Sequence, residues 1–201
     1  MTYLITQTLL SSWLYTFKAE DAEESFLKTL NREQTEPSEA MLLGREFEDD
    51  VYSRANGGLY LHDEWRDGIE QVAKIVRGAP FQVRLSRPIE VDGTKFLVYG
   101  ILDALKAGVI YDVKFTTTKL GSKDIYGKYL DSPQHPAYMF LEPSAREFQY
   151  LVSDGDDVYI EKYTREQTPE IGHIIRDFVR DMKLRGLYDI YTDKWGASHE
   201  D

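Results

Sequence analysis

Cysteine is absent from the 201-residue sequence. That excludes disulfides, a cysteine nucleophile and thiolate-held zinc or iron–sulfur clusters. It also fits a cytoplasmic location. Positive charge is in short supply: 24 Lys and Arg face 35 Asp and Glu, a net charge of −11. Such a balance argues against a general nucleic-acid coat protein, which is usually basic. It leaves a nuclease open, because metal-binding carboxylates concentrate negative charge that a bound cation reverses locally. No apolar run approaches the roughly 18 residues of a membrane span, so no membrane partner is expected. The opening MTYLITQTLLSSWLYTF is apolar but has no basic leader and no small-residue cleavage site. It reads as folded protein rather than a signal peptide. Repeats and low-complexity tracts are also missing, and the four histidines show no metal-ligand spacing.

What remains suits one domain over residues 1–201, with a tail expected to fray after about 187. Residues 7–30 carry apolar residues at helical spacing. Ser38 and Glu39 open a second helical stretch that ends at Asn56-Gly57, and 67–77 reads as a third. The middle is different. FQVRLSRPIEV, TKFLVYGILDAL and VIYDVKFTT are rich in β-branched and aromatic residues, with hairpin signals at Asp92-Gly93 and Lys106-Ala107-Gly108. They predict a three-stranded antiparallel meander. Residues 124–142 read as mostly helical, a hairpin follows across Asp154-Gly155, and a helix spans about 167–186. The predicted class is α/β, a mixed β-sheet with helices on its faces.

The chemistry gathers on the meander. Asp112 and Lys114 are two apart on a strand and share a face. Pairing across the 106–108 turn brings Asp103 close to Asp112. A lone D-x-K is weak and would ordinarily be a solvated surface pair. Here, however, Asp103 interrupts LVYGILDAL and Asp112 interrupts VIYDVKF. Acids inside apolar strands should be paired or liganded. Hard divalent cations such as Mg²⁺ take oxygen ligands, and the carbonyl of Val113 could add one. Lys114 could then orient a water or neutralise charge on a phosphoryl transition state.

With those residues set out, the chain resembles the PD-(D/E)XK nuclease superfamily, in particular its RecB-like and lambda-exonuclease-like branch. Gly44-Arg45-Glu46-Phe47-Glu48 resembles the first motif, with Glu48 in the acidic position and Glu46 as its rival. Gly100-Ile101-Leu102-Asp103 resembles the second, with Leu102 where proline is usual. Asp112-Val113-Lys114 resembles the third, and Gln134-His135-Pro136-Ala137-Tyr138 the branch's Q-x-x-x-Y motif. TLLSSWLYTF resembles the opening helix of RecB-like domains. The resemblance covers roughly residues 5–165 and implies a restriction-endonuclease-like fold. It further implies that Glu48, Asp103, Asp112 and Val113 hold one or two Mg²⁺ or Mn²⁺ ions and that Lys114 is the catalytic lysine. Gln134 and Tyr138, four apart on one helix face, would turn to the same site. Pro136 within that motif suits a first helical turn, with Ser132 or Asp131 near the cap.

The expected function is metal-dependent hydrolysis of DNA, as an exonuclease of phage or bacterial recombination or repair. The expected partners are DNA ends or single strands, together with a homo-oligomer or a recombination protein. A catalytically weak binding or assembly module on the same fold is the alternative, and an enzyme acting on RNA or nucleotides a third. Lys119, Lys123 and Lys128 form a candidate basic edge, with Tyr126 and Tyr129 nearby as candidate stacking residues.

Overall fold

The computed structural model describes residues 1–121 and 125–197. Lys123, one of the candidate basic-edge residues, and the last four residues of the tail lie outside the described residues. In chain order the elements are β1 (Thr2–Thr6), α1 (Gln7–Tyr15), α2 (Ala22–Leu30), α3 (Glu39–Ala55), α4 (Arg66–Val76), β2 (Phe81–Val91), β3 (Thr94–Lys106), β4 (Val109–Phe115), α5 (Gln134–Leu141), β5 (Glu147–Ser153), β6 (Val158–Thr164), α6 (Ile171–Leu184) and α7 (Tyr188–Lys194). A six-stranded mixed sheet runs β1-β3-β4-β5-β6, with β2 on the other edge of β3. Helices cover both faces, an α/β architecture of the expected class.

The meander forms as the sequence predicts. Asp92 and Gly93 both take positive φ, as do Ala107 and Gly108, the geometry of two-residue turns that match strand twist. Ser38 caps α3 by accepting a hydrogen bond from the Met41 amide, and Gly57, in left-handed conformation, follows its end.

Two cores flank the sheet. The larger packs α1, α2, α5, α6 and α7 against Phe96, Val98, Leu102, Ile110, Phe148 and Tyr150. The smaller packs Phe47 and Val51 of α3 and Ile69, Val72 and Val76 of α4 against Ala104, Val113 and Leu151. Val113 therefore faces the second core, while Ile110 and, by alternation, Asp112 and Lys114 face the first.

Four expectations need correction. The N-terminal segment is not one helical stretch. Within residues 7–30, α1 starts at Gln7 as expected but the helix is broken over 16–21, and strand β1, parallel to β3 and not foreseen, precedes it. Of the 124–142 stretch, the described residues 125–133 form turns, tied down by Glu161, and the helix starts only at Gln134. The helix expected from 167 begins at Ile171, because Pro169 and a short 3₁₀ turn at Arg165–Gln167 precede it. The tail after 187 is not frayed through residue 197. It forms α7, with Tyr191 and Trp195 buried. The Tyr191 hydroxyl donates to the Leu4 carbonyl at 3.0 Å and the Trp195 indole to the Leu30 carbonyl at 2.8 Å. No helix among the described residues is long and apolar enough to cross a membrane.

Candidate functional site

The topology of β3 creates the site. Strand β2 pairs along one edge from Thr94 to Ala104. The other edge is shared: β1 pairs with residues 95–99 and β4 with 104–106. Residues 100–103 lie between these two partners and form a notch in the sheet. The β3–β4 ladder ends at Ala104–Tyr111. One position further, the Asp103 carboxylate accepts the Val113 amide at 2.9 Å, replacing a backbone carbonyl with a side chain. Because the amide and carbonyl of a strand residue leave on the same side, the Val113 carbonyl also faces this notch. Strand β3 changes face here too: Leu102 packs in the first core but Ala104, two residues on, packs in the second.

The six residues singled out from the sequence meet at this notch. Asp112 is 1% exposed. Its Oδ1 accepts a hydrogen bond from the Gln134 carboxamide, and Lys114 Nζ stands 2.6 Å from its Oδ2. That contact is an ion pair by distance, yet Oδ2 receives no hydrogen bond of proper direction, so the attraction is Coulombic. Glu48 approaches from α3, where Tyr52 donates to its Oε1 and Gln82 Nε2 donates to the same oxygen at 2.7 Å. Gln134 lies in the first turn of α5, with Ser132 Oγ accepting its amide at 3.2 Å and Pro136 still inside that turn. Tyr138 follows one turn later, also buried.

Burial and neighbouring charge together explain the titration behaviour. Burial raises Asp103 well above the usual carboxylate range, and the nearby Asp112 and Glu48 charges add to the shift. Burial likewise raises Glu48, opposed by the Tyr52 hydrogen bond and reinforced by Asp112. For Lys114, burial works to lower its pKa, but the charges of Asp112 and Asp103 outweigh it and hold the amine protonated. Burial and then the charges of Asp112 and Asp103 push the Tyr138 phenol up.

Three carboxylates thus meet one ammonium in a restricted space. This excess of negative charge, the undonated Asp112 Oδ2 and an all-oxygen donor set fit a hard divalent cation. No group of three or more His, Cys, Asp or Glu side chains among the described residues is already arranged around a metal position. Each acid is engaged by a neighbour: Asp112 by Gln134 and Lys114, Asp103 by the Val113 amide, Glu48 by Tyr52 and Gln82. An ion bound there would have to exchange some of those partners for itself.

Glu46 is not part of this cluster. It lies half-exposed, with His62 Nε2 3.7 Å from its carboxylate. Lys119 is drawn away into an ion pair with Asp156. Tyr129 stacks on Tyr150 at 4.3 Å, a packing role, whereas Tyr126 stays exposed. A cleft of about 390 Å³ is lined by Arg45, Glu48, Asp49, Tyr52 and Gln82, so of the site acids Glu48 faces it. Two concavities, of about 440 and 530 Å³, lie elsewhere and contain none of the six residues. Tyr52 and Gln82 were not foreseen. Tyr52 carries a usable signal, four residues after Glu48 on one helix; Gln82 carries none in the sequence.

No family model and no curated protein matches this chain. Solved structures do match its fold. One of them, described as "Crystal structure of SSO0001", aligns with a TM-score of 0.55 at 16% identity, covering 92% of this chain and 78% of that one. At that identity the likeness shows shared fold alone.

Proposed function

We propose that the protein is a metal-dependent nuclease that hydrolyses phosphodiester bonds of DNA, acting as an exonuclease on linear ends. The observation that carries this reading is the meeting of Glu48, Asp103, Asp112 and Lys114 at the β3 notch, with a buried Asp112 oxygen that accepts no hydrogen bond. The resemblance to the PD-(D/E)XK superfamily supplies the substrate class and the exonuclease label.

Glu48, Asp103, Asp112 and the Val113 carbonyl would hold Mg²⁺ or Mn²⁺. When bound, such an ion supplies Lewis-acid polarisation of the scissile phosphodiester. Lys114 is protonated beside Asp112, so it acts as a hydrogen-bond donor and a positive charge. It orients the attacking water or stabilises the charge growing on the phosphoryl oxygens. It is not the base in this state. Gln134 fixes the orientation of the Asp112 carboxylate through its carboxamide. Tyr138, held as a neutral phenol, keeps a proton to donate on the same helix face.

The test compares end-labelled linear DNA with covalently closed circles, with Mg²⁺, with Mn²⁺ and with chelator. Degradation of linear DNA alone is expected, lost with chelator and with Asp112→Ala. Lys114→Met should lower the rate by about 10²–10³-fold. Absence of DNA cleavage under every metal condition would sink this reading and favour a binding or assembly role.

A further inference from the structure

Gln82 has an unexpected backbone. Among the described residues, four non-glycine positions take positive φ: Arg32, Gln82, Asp92 and Ala107. Arg32 follows a helix end, and Asp92 and Ala107 sit in hairpin turns, where that conformation is ordinary. Gln82, at φ 53, is inside strand β2. A left-handed residue with a Cβ within a strand, here the second residue of β2, is strained. The register of β2 on β3 is the same on either side, Phe81 opposite Ala104 and Val83 opposite Leu102, so Gln82 stands opposite Asp103 without joining the ladder.

The conformation places the side chain on α3. Gln82 Nε2 donates to Glu48 Oε1 at 2.7 Å and contacts the Tyr52 hydroxyl at 3.1 Å. Tyr52 donates to the same carboxylate oxygen, and its ring stacks on Phe81 at 4.5 Å. Both donors therefore converge on Oε1 and leave Oε2 of Glu48 undirected. Neighbouring residues of β2 hold the two ends of the device: Phe81 supports the tyrosine ring and Gln82 supplies the carboxamide.

We infer that Gln82, with Tyr52, is a positioning residue for Glu48. It holds one carboxylate oxygen so that the other is presented to a divalent cation at the notch. The inference rests on the metal-site reading above and adds to it two residues and the reason for a strained strand. Outer hydrogen bonds of this kind typically change metal affinity by about 10–100-fold.

The experiment measures Mn²⁺ binding by titration calorimetry and thermal unfolding, without substrate. Gln82→Gly removes the carboxamide and also relieves the left-handed strain. Binding should weaken about tenfold while the metal-free protein melts at the same or a higher temperature. A purely structural glutamine would not divide the two readouts in this way. Tyr52→Phe keeps the stack on Phe81 and should also weaken binding, so the inference stays testable if the glycine variant folds poorly. Wild-type Mn²⁺ affinity in both variants, with Asp112→Ala abolishing binding, overturns the positioning role and leaves the metal site standing. Failure of the wild-type protein to bind Mn²⁺ overturns both.

Discussion

His135 stands next to Gln134 in the motif but serves the core instead of the chemistry. Its ring is 1% exposed, stacks on Tyr163 at 4.1 Å and lies 3.3 Å from the Tyr150 hydroxyl. Glu161 accepts the Tyr163 hydroxyl in that network. Burial lowers the imidazole to about 4, so it is neutral when folded at neutral pH. Unfolded, it titrates near 6.5. Between those values the unfolded chain binds more protons. The stability that neutral His135 contributes is therefore full above about pH 6.5 and is lost as pH falls through about 4. Urea unfolding at pH 7 and pH 5 should show His135→Phe losing about 2 kcal/mol less than the wild-type protein. Asp103 and Glu48 are raised and act with the opposite sign, but both proteins share them. Equal losses would show that His135 does not titrate this way. At this scale the acids were legible, because Asp103 and Asp112 interrupt apolar strands. The role of His135 was not, since sequence gave no sign of the tyrosines around it.

At the scale of elements, α5 and β3 fit through a glycine. A Cβ on Gly100 would lie 2.6 Å from Tyr138 Cε1 and 2.9 Å from a Leu141 methyl. Gly100→Ala must therefore push on α5, the helix that also carries Gln134. The expected cost is about 1–3 kcal/mol, seen as a lowered Tm. The proposed nuclease activity should fall with it, because Gln134 and Asp112 shift relative to each other. An unchanged Tm would mean that α5 moves freely, contrary to its packing. Strand and hairpin boundaries were readable because alternation and Asp92-Gly93 specify them locally. The extent of α5 was less so: Pro136 suits its first turn, but only packing decides that 125–133 stays unwound. That segment is tied down by Glu161 of β6, which accepts the Gly127 and Tyr129 amides at 3.2 Å each.

For the whole molecule, β1 and residues 195–197, just after α7, close on one another. The Leu4 amide donates to the Trp195 carbonyl at 2.7 Å and the Ala197 amide to the Thr2 carbonyl at 2.8 Å. Tyr191 and Trp195 belong to the same core as Phe26, Leu30 and Phe178. Losing one buried aromatic of this kind costs about 3–5 kcal/mol, against a typical total of about 5–15. Truncation after residue 187 should therefore abolish cooperative unfolding or leave insoluble protein. A truncated chain with the wild-type Tm would show that α7 is dispensable. The tail was misread although Tyr188, Ile190, Tyr191 and Trp195 stand close together in it; their burial depends on β1, nearly the whole chain away.

The sequence by itself determined the meander, its turns, the α/β class and the identity of the acids and lysine, because periodicity and turn chemistry act over a few residues. Tertiary structure decided the rest. It assigned α3's inward acid to Glu48 over Glu46, opened the notch by placing β1 and β4 on one edge of β3, and set Gln82 against Glu48. These outcomes depend on contacts between residues far apart in the chain, which no local pattern encodes.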